Sequence, residues 1–179
     1  MAEQREPIMA ANLSFEMAME QTQSLLDRYA VGELGDIALQ QAIAALVTSE
    51  NGARGFFVVY LSDTQAPAPP PAPVLSALAL APTVVAPLLI KNLAMSTAMA
   101  IAHRRNQNES LAQGSDRVQQ RSLHLIQQLA TPELTTAAIA LNASLTDETG
   151  EYAPFLARWN YDPEQRHAIH TILTQTGLL

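Results

Sequence analysis

The chain has 179 residues, a formal net charge of −7, 48% hydrophobic residues and no cysteine. This length suits one domain with a sizeable core, and the lack of cysteine excludes disulfides, thiolate catalysis and cysteine-based zinc sites. The negative charge argues against nucleic-acid binding as the main task, because such binding depends on neutralising phosphates.

The N-terminal residues give the first expectations. The first eight residues contain two glutamates and no apolar run, which is not the pattern of a signal peptide, so we expect a cytoplasmic protein. A first helix is predicted from about Asn12 to Tyr29, because apolar residues recur there at helical spacing. Either Asn12 or Ser14 can cap it.

The next stretch combines a clear helix with an ambiguous segment. A second helix is predicted to open with Asp36 as its N-cap and to stop at 49–52. The glycine-rich residues 51–55 lack the spacing of a phosphate-binding loop, and a turn is predicted there. Residues 55–61 (GFFVVYL) are rich in β-branched and aromatic side chains, as in a buried strand, but no partner strand is evident. We favour a helix.

Residues 64–73 (TQAPAPPPAP) form a proline-rich stretch, for which an extended conformation is predicted. The stretch can mark a domain boundary. However, the preceding piece is short for a core of its own, so we interpret the chain 1–179 as a single domain with an internal loop at 64–73.

The most apolar helix is predicted from Val84 to Arg105 and placed at the centre of the fold. Residues 74–90 carry no charge and superficially resemble a membrane span. Pro82 and Pro87 argue against one continuous lipid-facing helix, so we expect a buried core helix and no membrane partner.

The C-terminal half gives three further helix starts. Asp116 and Gln119 resemble a capping box for a helix through residue 130. Residues 131–133 (Thr-Pro-Glu) start a helix that ends near residue 145, and residues 162–164 (Asp-Pro-Glu) start the last one after a short aromatic helix. The prediction is an all-α bundle of six or seven helices around a central apolar helix.

The central helix carries the first candidate site. Asn92, Ser96 and His103 share one side of it, next to the apolar face. This polar row can line a ligand pocket, or it can form hydrogen bonds between helices that fix their packing. Ser96 and His103 are about 10 Å apart along the helix and cannot act as a nucleophile and its base.

A second candidate is the basic end of the same helix. His103, Arg104 and Arg105 complement the helix dipole, or form a patch for an acidic partner. Another face carries the only lysine, Lys91, with a row of alanines, and we expect it to be solvated or to contact another subunit.

Two C-terminal patterns are also candidates. Glu164, His167 and His170 have metal-ligand spacing, but projection places Glu164 and His167 towards solvent, so no metal site is assigned. Four aromatic residues cluster within 152–161, and Trp159 among them is a candidate partner-binding residue. Docking of this segment on its own core is the favoured alternative.

No motif identifies a known family, a catalytic residue or a cofactor. The best hypothesis is therefore a non-enzymatic interaction or regulatory protein, partnered by a protein or by itself as a helical homo-oligomer, although an enzyme is not excluded. The predicted contacts are the alanine face, the Arg104 and Arg105 patch, or the aromatic segment. The alternative is a small-molecule-binding protein whose pocket is lined by the central helix.

Overall fold

A computed structural model describes residues 13–65 and 69–179 of the chain. These residues form helices and connecting turns without any strand, so the predicted all-α class is confirmed. The helices are α1 (Phe15–Ala30), α2 (Asp36–Leu46), α3 (Glu50–Ser62), α4 (Ala72–Leu78), α5 (Pro82–Arg105), α6 (Glu109–Leu129), α7 (Pro132–Ser144), α8 (Ala153–Trp159) and α9 (Pro163–Gln175).

The described ranges contain nine helices, more than the predicted six or seven, because the ambiguous segment 55–61 is part of a helix and the short α4 was not predicted. Helices α4 and α8 have seven residues each. Helix α4 begins inside the predicted proline-rich loop, since Pro71 is its N-cap and proline is tolerated in a first helical turn. Residues 66–68 of that loop, and the alternative cap Asn12, lie outside the described ranges. Ser14 caps α1 by accepting a hydrogen bond from the Met17 amide.

The ambiguous segment 55–61 is helical and belongs to α3. Ser49 caps this helix, so the turn predicted at 51–55 is wrong. Two glycines lie within α3 because its neighbours come too close for a side chain. A methyl group on Gly52 would lie 1.9 Å from the carbonyl oxygen of Leu46, and one on Gly55 would lie 2.5 Å from Cβ of Ala18.

Helix α5 is central, as predicted, and packs against α3, α6, α7 and α9. Leu89, Ile90 and Leu93 on it are fully buried. Among the described helices, α5 is long and apolar enough to cross a membrane by length and composition, but 56% of its most apolar 18-residue window is buried inside the fold. Such burial is typical of the core helix of a globular protein.

Helix α6 starts earlier than predicted, at Glu109, with the Asn108 side chain accepting from the Leu111 amide. The capping box predicted at Asp116 and Gln119 is therefore wrong. Packing along α5 keeps the chain helical through Gly114, and both side chains reach α5 instead. Gln119 donates to the hydroxyl of Thr97 across 2.8 Å.

The last helix starts follow the predicted chemistry. Thr131 caps α7 and is followed by Pro132 in the first turn. Asp162 caps α9 through a reciprocal capping box with Gln165. Each start fixes where the chain turns back towards α5.

Candidate functional site

The central residue of the polar row on α5 is hydrogen-bonded within its own helix. The Ser96 hydroxyl donates to the carbonyls of Asn92 and Leu93 in its own helix, at 2.7 and 3.1 Å. Ser96 is buried, whereas Asn92 and His103 are partly buried. Five clefts on the surface of residues 13–65 and 69–179 are lined by residues other than Asn92, Ser96 and His103. These five clefts therefore give no support to a ligand pocket at this row.

The two arginines at the end of α5 are engaged within the chain. Arg104 pairs with Asp116, at 2.5 Å, and with Glu109 on α6. These carboxylates raise the pKa of the Arg104 guanidinium. The predicted patch for an acidic partner is thus occupied by the protein's own acids, because the first turns of α6 run back past the end of α5.

Arg105 makes the corresponding contacts to the last helix. It pairs with Asp162 and Glu164 in the first turn of α9. The hydrogen bond from Arg105, followed by the amide of Gln165, lowers the pKa of the Asp162 carboxyl. Both side chains of the Arg105–Asp162 pair are more than a third exposed, so the contact orients α9 more than it stabilises the fold.

The alanine face of α5 is covered, which corrects the prediction of an exposed subunit contact. Ala94 and Ala98 are fully buried. Gln165 of α9 donates a 3.0 Å hydrogen bond to the Ala98 carbonyl. The small side chains permit close helix approach, as expected, but the helix that approaches belongs to the same chain. Lys91 lies with its Nζ atom 5.7 Å from the ring centroid of Tyr152.

The aromatic segment docks on the core except at its end. Tyr152 and Tyr161 are 4% and 5% exposed, and burial raises the pKa of each phenol to about 12. Trp159, at the last position of α8, is 44% exposed. Tyr152 and Tyr161 therefore dock on the core as favoured, while Trp159 remains exposed.

The residues with metal-ligand spacing do not converge. Glu164 pairs with Arg105, and Nδ1 of His170 is hydrogen-bonded to Oδ1 of Asn142 at 2.7 Å. In the described ranges no group of three His, Cys, Asp or Glu side chains is placed to hold a metal ion.

Sequence reasoning missed a cleft between α1 and α2. Helix α1 packs closely on α3, whereas α2 packs on α4, which leaves space between α1 and α2. The cleft has a volume of about 530 Å³. Its walls are largely apolar or small, and Glu20 and Arg28 stand among them. The lining residues are Leu13, Glu20, Gln21, Ser24, Leu25, Arg28, Ala42, Ala45 and Leu46.

A larger cleft of about 770 Å³ lies beside α1, α3 and α4 and contains two carboxylates. Asp27 accepts from the side-chain amide of Gln23, and Asp63 accepts from the backbone amide of Gln65, both at 2.8 Å. Burial raises the pKa of Tyr60 in its wall to about 12, so this phenol stays protonated. The carboxylates are thus bound to their own chain.

Two further clefts meet at Arg166, between α7 and α9. They have volumes of about 650 and 370 Å³ and share Leu145, Thr146 and Arg166. The spacing of His167 and His170 was the only trace of this region in the sequence. Arg166 contacts the end of α7 at Leu145, 21 residues earlier in the sequence, so local sequence patterns could not predict this contact.

The fold and its clefts define an all-helical protein with a buried central helix and open surface sites. The chain belongs to the family described as Uncharacterised conserved protein UCP020893, whose model matches residues 14–176. No curated protein and no solved structure matched the chain. The description of this family names no activity, ligand or partner.

Proposed function

We propose that the protein is a non-enzymatic interaction protein that self-associates through the cleft between α1 and α2. The observation that carries this proposal is the exposed face of α2. Between Asp36 and Glu50 the sequence has no ionisable side chain. Ile37 is 75% exposed, and Ala38, Gln41 and Ala45 are exposed on the same side of the helix. An exposed helix face without a charge beyond Asp36 is unusual in a chain with a charge of −7.

The adjoining cleft suits a second copy of this face. Its floor contains Leu13 and Leu46, which are 9% and 4% exposed, with Leu25 packed against them. Ala42 and Ala45 in its wall allow another helix to approach closely. An apolar helix face in an apolar groove is a common recognition mode, and a two-fold axis lets each copy supply both parts.

The charges beside the cleft are self-complementary. Glu20 and Arg28 lie eight residues apart on α1, about 12 Å along the helix. The four ion pairs found within 13–65 and 69–179 use neither of them. In an antiparallel pair of α1 helices, Glu20 of each copy faces Arg28 of the other. This arrangement gives a contact without net charge between two acidic molecules.

We include in the proposal a cytoplasmic location without membrane or nucleic-acid partners. The negative charge and the burial of α5 support this part. Fractionation of the source cells checks it, because recovery in the membrane fraction would contradict it.

Sedimentation velocity over about a hundredfold range of protein concentration tests the self-association. We expect a dimer that dissociates on dilution. Ile37→Glu places a charge on the exposed face of α2 and should shift the protein to monomer. Ile139→Glu is the matched control, because Ile139 is also exposed, at 53%, but lies on α7.

A charge swap tests the antiparallel arrangement. Glu20→Arg sets like charges against each other and should weaken the dimer at low salt, and adding Arg28→Glu should restore it. A wild-type protein that stays monomeric, or a dimer indifferent to Ile37→Glu, overturns the proposal. Equal weakening by the single and double charge variants overturns the antiparallel geometry.

A further inference from the structure

Arg166 is a half-buried arginine held by backbone carbonyls. Its Nε donates to the carbonyl of Tyr161 at 3.1 Å, and its Nη1 donates to the carbonyl of Leu145 at 2.8 Å. It thus joins α9 to the residue that ends α7. These bonds fix the plane of the guanidinium, which is the group best shaped to bind an oxyanion.

No carboxylate of the described residues forms an ion pair with Arg166. The four ion pairs found there involve Arg104 and Arg105 only. Carbonyl dipoles satisfy hydrogen-bond donors but do not neutralise the positive charge. In an acidic protein, a half-buried cation without an ion pair among the described residues has capacity for an external anion.

The smaller of the two clefts at Arg166 provides the space. Its volume is about 370 Å³, and its lining contains no acid. The lining residues are Asn142, Leu145, Thr146, Arg166, His167 and His170. The lining thus combines one arginine, two imidazoles, an amide and a hydroxyl. Glu148 lines the neighbouring larger cleft and not this one.

We propose that this smaller cleft binds the phosphate or carboxylate group of a small molecule. The fixed guanidinium of Arg166 provides the charge, and His167 and His170 provide further nitrogen donors. In the imidazolium form both nitrogens of His170 donate, Nδ1 to Oδ1 of Asn142, which orients the ring, and Nε2 to the anion. Charge-assisted hydrogen bonds of this kind are stronger than neutral ones.

A purely structural role for Arg166 makes a different prediction. As a cap on the end of α7, Arg166 would affect stability equally with and without an anion. A binding site instead gives saturable stabilisation by a specific oxyanion. Thermal unfolding and NMR titration separate the two, with inorganic phosphate or acetate exchanged against chloride at constant ionic strength.

We expect saturable shifts of the His167 and His170 resonances on titration with one of the two oxyanions. The stronger ligand identifies the group, a phosphate or a carboxylate. His170→Gln, at an exposed position, should keep the fold and weaken binding about tenfold, the loss of roughly one charge-assisted hydrogen bond. Arg166→Gln should abolish binding where circular dichroism shows that the variant folds.

Arg158→Gln is the control, because Arg158 is an exposed arginine on α8 outside both clefts. It should bind as the wild type does. Absence of saturable binding of either oxyanion, or equal binding by the His170→Gln variant and the wild type, overturns the proposal. Neither result bears on self-association, which uses the opposite end of the sequence.

Discussion

The side-chain amide of Gln165 donates a hydrogen bond to the carbonyl of Ala98, 3.0 Å away, and joins the first turn of α9 to the middle of α5. Gln165 is 8% exposed, so the bond is shielded from water. The Oε1 atom of the same side chain accepts from the Asp162 amide. One residue thus starts the last helix and attaches it to the central one.

Replacing Gln165 with Glu should destabilise the protein by about 2 kcal/mol, because a buried carboxylate keeps the capping oxygen but loses the donor to Ala98. Urea unfolding measures this loss. Gln127→Glu is the matched control, since Gln127 makes a similar 3.0 Å bond to the Gln175 carbonyl from an exposed position. If Gln127→Glu lowered the free energy of unfolding as much as Gln165→Glu, burial of the Gln165 hydrogen bond would not be the cause of the loss.

Two helical glycines should respond in opposite directions to alanine. Gly55→Ala should destabilise the fold by about 1–3 kcal/mol, because the new methyl group would lie 2.5 Å from Cβ of Ala18. Gly114→Ala should stabilise by about 0.5–1 kcal/mol, since nothing lies within 4 Å and alanine favours helix. Chemical denaturation of both variants checks the pair. A stabilised Gly55→Ala protein would show that α1 and α3 are not in such close contact.

The ion pair between Arg105 and Asp162 should make stability depend on acid pH. Because Arg105 lowers the pKa of Asp162 in the folded state, its contribution is present above the unfolded value near 3.9 and is lost as pH falls through the folded pKa. Asp162→Asn retains a capping oxygen but not the charge. The wild type should therefore exceed this variant in stability at neutral pH, and the difference should shrink below about pH 4.

Thermal unfolding of both proteins between neutral and acid pH measures that difference. High salt should reduce it at neutral pH, because the pair is exposed. A difference that is constant across the whole range would exclude the charge of Asp162 as its source.

The sequence allowed the helical class, the central helix and most helix starts to be predicted, because these depend on local patterns. Thr131 and Asp162, at two of the helix starts predicted from the sequence, are the N-caps of α7 and α9 in the structure. The turn predicted at 51–55 failed because glycine also marks close helix contact, and Gly55 needs Ala18 beside it before that contact exists. Similarly, the capping box at Asp116 failed because α6 begins at Glu109 and continues through Gly114, which places Asp116 inside the helix, where it pairs with Arg104.

The candidate sites were less predictable than the fold, for a physical reason. Periodicity distinguishes buried from exposed faces but does not identify which helix covers a face. The alanine face of α5 therefore resembled a subunit contact until α9 was found on it. Conversely, Arg166 carried no signal, because its importance comes from the carbonyl of Leu145 and from the absence of an acid in the smaller of its two clefts.

The position of α9 against α5 has a consequence for biosynthesis. The apolar surface of α5 emerges from the ribosome well before the helix that covers part of it, because the chain from Arg105 to Gln175 must still be made. At ordinary elongation rates this takes about 4 to 14 s. During that interval the part of α5 that α9 covers is accessible to chaperones and to the machinery that sorts proteins to membranes.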